Sequence, residues 1–155
     1  WIHRQHHTAK VTDPLTSLSF SILERAILIG GILGFAGAVS HVFPLSMTGL
    51  IAAGLSNYVL NVLGHSNVEF IPERIATSRI GRVFITPSYH AMHHARFRGH
   101  YGLFTTVLDN WFSTRFEDYE QVYARARAGQ GLDRLGERVG NGPRASRRAA
   151  AGAVS

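Results

Sequence analysis

Between Arg25 and His65 the chain carries no Asp, Glu, Lys or Arg. Pro44 divides this run into 26–43 and 45–63, which are 18 and 19 residues long. A helix needs about 20 apolar residues to cross the hydrocarbon core, with a working range of about 17–25. The pattern therefore predicts two short membrane-spanning helices, a hairpin over about 26–63 with its turn at Phe43-Pro44. Gly30, Gly31, Gly34, Gly37, Gly49 and Gly54 suit close helix–helix contact in lipid. A buried hydrophobic hairpin of a soluble protein is the competing reading, and the length of the uncharged run argues against it.

The flanks set an orientation. Arg4, Lys10 and Arg25 precede the hairpin, Arg74, Arg79, Arg82, Arg96 and Arg98 follow it, and the turn is uncharged. The positive-inside rule then places both ends in the cytoplasm, with a bacterial inner membrane as the expected setting. A hairpin returns the chain to the side it left, so residues before and after it are expected on one face.

Outside the hairpin the signals are shorter. Residues 1–10 read as the end of a helix, broken at Thr12-Asp13-Pro14 because proline disfavours helix for the residue before it. Residues 15–25 read as interfacial, and 64–84 as a short helix and a loop. Thr86-Pro87 is a helix start, with Thr as N-cap and Pro at the first helical position. Gly99 and Gly102 bracket an irregular joint, after which Leu103–Phe112 resumes a helical pattern with Asp109 inside it. The expectation is an all-α integral membrane protein with one domain over 1–123, in which a helical cap follows the hairpin. Residues 124–155 form an Arg/Ala/Gly-rich tail, disordered over most of 128–155.

Composition narrows the chemistry. There is no cysteine, which excludes disulfides, thiolate zinc sites and Cys-held iron–sulfur clusters. The net charge is +6. Much of it lies in the tail arginines, so it does not imply nucleic-acid binding; anionic lipid head groups or solvent are the two readings for those arginines. Beginning at Trp1 inside a histidine motif, the chain reads as a piece of a longer protein.

The nine histidines carry the chemical signal. His3, His6 and His7 form one H-x-x-H-H pattern and His90, His93 and His94 a second. Offsets of three and four fall on one helical face. His65 stands just after the second predicted span. Imidazole suits Fe, Zn, Cu and Ni, and seven imidazoles are more than one ion holds. Two ions with nitrogen ligands and no thiolate fit dioxygen chemistry better than a structural role.

In that order and spacing the motifs resemble the fatty acid hydroxylase/sterol desaturase superfamily of membrane non-haem di-iron oxygenases. That pattern runs H-x-x-H-H, membrane hairpin, further histidine, last H-x-x-H-H, then a stretch like N-Y-G-x-x-x-x-x-x-D-x-x-F-G-T. His100-Tyr101-Gly102 and Asp109-Asn110-Trp111-Phe112-Ser113-Thr114 stand where those last segments fall. Tyr101–Thr106 looks most like the sterol desaturase branch. The upstream H-x(3–4)-H pair of the family is not in the chain. His100 replaces the usual Asn, Ser113 the usual Gly, and Asn61 stands where some members carry another histidine.

The resemblance implies that His3, His6, His7, His65, His90, His93 and His94 hold two iron ions, with no catalytic residue beyond these ligands. It implies dioxygen as co-substrate, a lipid substrate (sterol or fatty acyl chain) taken from the bilayer and hydroxylated or desaturated, and a cytochrome- or ferredoxin-type electron donor. Few anionic ligands would leave the metal site electrophilic enough for an unactivated C–H bond. Asp109 and Glu69 are candidates to orient ligand N–H groups; local capping for Asp109 and a solvated charge for Glu69 are the alternatives. His100 is a further ligand or a loop residue. His41, inside the first span, is a functional candidate or a hydrogen-bonded neutral histidine. Three other functions compete. A b-type cytochrome would use His41 and His65, but haem needs single axial histidines rather than clusters. A dinuclear zinc hydrolase lacks H-E-x-x-H. A non-catalytic scaffold would fold without metal.

Overall fold

The computed structural model describes residue 3, residues 5–132 and residues 135–139. The chain divides into two compact units, Trp1–Ser66 and Asn67–Ser155, where the sequence reading expects one domain over 1–123. The described residues are all-helical. Their only pairing of extended backbone is the bridge between Phe84 and Thr105.

In the first unit the expected opening helix is instead a short 3-10 turn, His6–Thr8. The break expected at Asp13-Pro14 is present. Asp13 and Thr16 form a reciprocal capping box around a second 3-10 turn, Pro14–Leu18. Helix α1 then runs Ile22–Ser40, capped by the Ser21 hydroxyl on the Glu24 N–H. Helix α2 runs Met47–Gly64, capped by Ser46 on the Gly49 N–H. Cap chemistry, rather than the charge boundary, sets these ends. Ser21 draws the charged pair Glu24 and Arg25 into the first turn of α1, so the helix begins before the uncharged run.

Both helices are long and apolar enough to cross a membrane. Their large apolar side chains face outward: Leu33, Phe35, Ile51 and Leu55 are all more than half exposed. The glycines do not mediate the close packing expected of them. A Cβ added at Gly30, Gly31, Gly34, Gly37 or Gly54 would meet nothing within 4 Å. His41 is the C-cap of α1 and is exposed, outside the helical interior.

In the second unit α3 is the single turn Glu73–Ala76, followed by a 3-10 turn at Gly81–Val83. Helix α4, Pro87–Arg96, starts as the sequence predicts, with Thr86 accepting from the Tyr89 N–H and Pro87 first. Helices α5, Val107–Trp111, and α6, Tyr119–Arg127, complete the unit. Met92, Phe116 and Val122 form its buried apolar cluster. Arg96 donates to both carboxylate oxygens of Asp118, at 2.7 and 2.8 Å, tying α4 to the start of α6.

The tail expected from residue 124 departs from that reading over its first part. Residues 119–127 are helical. Leu132 and Val139 pack on the Met92 cluster. The Val139 N–H reaches Asp118, and Arg125 pairs with Glu137. The rest of the segment expected to be disordered, residues 140–155, lies outside the described residues.

Two departures from the family pattern fall at special backbone positions. His100 has φ 52° and Ser113 φ 55°, both left-handed. The usual Asn and Gly adopt that region more readily than most residues, which explains why those types occupy the motif. Gly99 is at φ 132°, and a Cβ there would meet the Phe116 ring and the Thr114 carbonyl. Ser113→Gly is therefore expected to raise stability by about 1 kcal/mol. Gly99→Ala is expected to lower it by more than that. Thermal unfolding of the purified chain in detergent reads both signs.

Candidate metal centre

In the first unit the 3-10 turn at residues 6–8 turns His6 and His7 inward, and both are buried. His3, His6 and His7 gather ring against ring, with centroids 4.5–5.6 Å apart. Phe20 stacks on His6 at 4.4 Å, nearly parallel. His65, carried on the C-cap of α2, joins them. Its Nε2 lies 3.2 Å from His6 Nε2. Its Nδ1–H donates to the Asn61 carbonyl at 2.8 Å. A carbonyl only accepts, so that bond fixes the His65 proton on Nδ1 and leaves the Nε2 lone pair facing His6. Burial lowers the His65 pKa, which favours the neutral ring a metal requires.

The donor set fits a first-row ion. Two nitrogens about 2.1 Å from one ion, at about 100° to each other, stand about 3.2 Å apart. That is the His6–His65 spacing.

Sequence reasoning did not single out Glu24. It is buried in the first turn of α1, and its carboxylate accepts from His3 Nδ1. A carboxylate on the far nitrogen of a ligating imidazole orients the ring and raises its basicity. The signal was present as the one acid in a helix whose only other charge is the neighbouring Arg25.

In the second unit α4 carries the last triplet. His90 and His94 stand 4.8 Å apart, edge to face, both buried. His93 Nδ1–H donates to the Gly99 carbonyl at 2.9 Å. As at His65, a main-chain oxygen fixes the tautomer and leaves Nε2 without the proton.

Asp109 and Glu69 do not bond to any of these imidazoles. Glu69 accepts from the Ser88 and Ile71 N–H groups at 3.1 and 3.0 Å, holding the first turn of α4. Asp109 is buried and takes four donors. They are the N–H groups of Tyr101 and Gly102, the Thr114 hydroxyl and the Tyr89 hydroxyl. Both carboxylates accept from backbone, and Asp109 is neither an imidazole partner nor a helix cap: it lies inside α5 and its N–H donors come from the preceding joint. The physical reason is supply: the joint at 99–102 turns backbone N–H groups inward, and a buried carboxylate is the strongest acceptor for them.

His100 is buried, with Nδ1 bonded to the Tyr89 carbonyl and its ring flat on Tyr89 at 3.5 Å. Burial holds it neutral, lowering its pKa to about 3. It belongs to the frame under α4. Tyr89 is pushed well above the usual phenol range by burial and then by its bond to Asp109.

The fatty acid hydroxylase family model matches residues 1–114. Among individual proteins, the chain is similar to very-long-chain aldehyde decarbonylase GL1-6 of Oryza sativa subsp. indica. The two are 30% identical over 132 residues, covering 83% of this chain and 20% of that protein. Very-long-chain aldehyde decarbonylase CER1 of Arabidopsis thaliana is 32% identical over 128 residues, 79% of this chain and 20% of that protein. Protein CER1-like 2 of Arabidopsis thaliana is 30% identical over 126 residues, with 78% and 20% covered. The chain thus spans about a fifth of the length of these relatives. The superfamily is the one the motifs indicated. The relatives named here are of the decarbonylase type rather than the sterol desaturase branch that Tyr101–Thr106 suggested. No solved structure matches the chain.

Burial alone would push the Asp109 carboxyl up; its bonds from Thr114, Gly102, Tyr101 and Tyr89 outweigh that and hold it below the usual value. A depressed carboxylate contributes stability above the unfolded pKa of about 3.9 and loses it as pH falls through the folded value. Asp109→Ala is expected to cost about 3–5 kcal/mol at neutral pH, because four donors lose a buried acceptor. Asp109→Asn should flatten the acid limb of stability against pH. Thermal unfolding across a pH series checks both.

Proposed function

The chain belongs to the fatty acid hydroxylase family, and from that premise we propose a membrane-bound oxidoreductase that uses two non-haem irons and dioxygen to oxidise a long-chain lipid. The proposed ligands are His3, His6, His7 and His65 in the first unit and His90, His93 and His94 in the second. The observation that carries this reading is the pair of Nε2 atoms of His6 and His65, 3.2 Å apart, with the His65 proton held on the opposite nitrogen.

The chemistry such iron supplies when bound is the reductive activation of dioxygen to a strength that breaks a C–H bond. The protein's own residues hold and shield. The Asn61 and Gly99 carbonyls keep the His65 and His93 protons on Nδ1. Glu24 restrains His3, and Phe20 covers one face of His6. In a hydroxylation one C–H bond breaks and one C–O bond forms. The second oxygen atom leaves as water with two protons and two electrons, supplied by a reduced cytochrome- or ferredoxin-type partner. Helices α1 and α2 are proposed to cross the bilayer as a hairpin with both ends cytoplasmic, which gives the site a substrate dissolved in lipid.

The relatives' names favour a second reading, decarbonylation of a very-long-chain aldehyde. The full chain, loaded with ferrous iron in lipid nanodiscs and given reductant and dioxygen, separates the two. Hydroxylated or unsaturated acyl products support the first, and a shortened hydrocarbon from an aldehyde supports the second. Either activity is expected to vanish in His65→Ala and His94→Ala, with iron content falling in parallel. A chain that takes up no iron, or that shows a haem Soret band, overturns the di-iron reading.

A further inference from the structure

Helix α5 is turned inside out relative to an ordinary surface helix. Its one carboxylate, Asp109, is 1% exposed, while Leu108 is 58% and Trp111 77% exposed. Val107, Leu108, Trp111 and Phe112 follow helical spacing and so share one face. The Trp111 and Phe112 rings stack at 5.8 Å.

The surface extends beyond the helix. The Thr106 N–H donates to the Val83 carbonyl at 2.8 Å, and the Ile85 N–H donates to Phe104 at 3.1 Å. These bonds lay the 83–85 strip along the 103–106 segment. Exposed Val83 and Phe84 therefore border exposed Leu103 and the start of α5. A continuous apolar surface of this kind on a folded unit marks an interaction site.

Its fringe selects the partner. From Arg74 to Leu108 the chain contains five arginines and no Asp or Glu. Arg79, Arg82 and Arg98 are exposed. Thr106 Oγ1 bonds to the Arg82 carbonyl at 2.7 Å, which fixes Arg82 at the edge of the surface. A fringe of one sign suits an anionic surface. A bilayer takes apolar and aromatic side chains below its head groups, prefers Trp at the interface, and draws arginine to anionic lipid.

We propose that the second unit seats directly on the membrane through Val83, Phe84, Leu103, Leu108, Trp111 and Phe112, with the exposed arginines on anionic head groups. This contact is separate from the two apolar helices and needs no metal. It goes beyond the oxidoreductase reading in giving the second unit its own lipid-facing surface.

The chain has two tryptophans, Trp1 and Trp111, so Trp1→Phe leaves Trp111 as the single probe. The iron-free full chain is reconstituted into vesicles of phosphatidylcholine and phosphatidylglycerol with brominated acyl chains. Flotation with the vesicles reports membrane insertion, and tryptophan emission reports the α5 surface. The expected result is flotation with a blue-shifted Trp111 that loses most of its emission to acyl bromine and little to aqueous iodide. Quenching by iodide but not by bromine would show a solvated face and overturn the proposal. Shielding from both would show a protein cover, a second copy or another segment, and would overturn it equally. A chain that floats without bromine quenching removes this seating while leaving the oxidoreductase reading in place. A chain that does not float removes both the seating and the membrane reading of α1 and α2.

Discussion

The fixing of histidine protons by main-chain carbonyls is the constraint on which the rest depends. A neutral imidazole has two tautomers, and only the nitrogen without the proton can bind a metal. Asn61, one helical turn before His65, and Gly99, six residues after His93, each offer a carbonyl that removes the ambiguity. The Asn61 carbonyl belongs to the last turn of α2. The Gly99 carbonyl belongs to a joint whose next residues are held by Asp109 and Thr114. A substitution at Asp109 therefore acts on His93 without touching it.

The same logic explains the backbone of the joint. His93 can reach Gly99 only if the chain reverses at once after α4. Phe97, Gly99 and His100 all take positive φ to achieve this. Each non-glycine in that region costs free energy that the surrounding contacts must offset. The flat stack of His100 on Tyr89 and the four bonds into Asp109 are those contacts.

Much of this was legible in the sequence, for identifiable reasons. The apolar run and Pro44 marked two helices because a charge-free stretch of that length is long for a soluble core and matches two bilayer crossings. Thr86-Pro87 marked the start of α4 because capping is a local interaction. The helix ends at Ser21 and Ser46 were hidden, since serine caps carry little weight against a hydrophobic pattern. The first triplet sits on a 3-10 turn rather than the expected α-helix, and its rings still meet because tight turns also group near neighbours. Glu24 was missed because its partner His3 is 21 residues away. Glu69 and Asp109 were legible as important acids but not as backbone acceptors, because their donors are N–H groups that sequence does not display. The glycines of α1 and α2 suggested close packing that the structure does not contain; a glycine permits approach and does not supply the partner.

The most direct test reads the ring protons themselves. Nitrogen NMR of the metal-free chain, with histidine labelled in its ring and the protein held in nanodiscs at neutral pH, distinguishes the two tautomers site by site. The account predicts that His65 and His93 carry their proton on Nδ1 and leave Nε2 bare, as His100 does. Rings protonated on Nε2, or on both nitrogens, at His65 and His93 would contradict it.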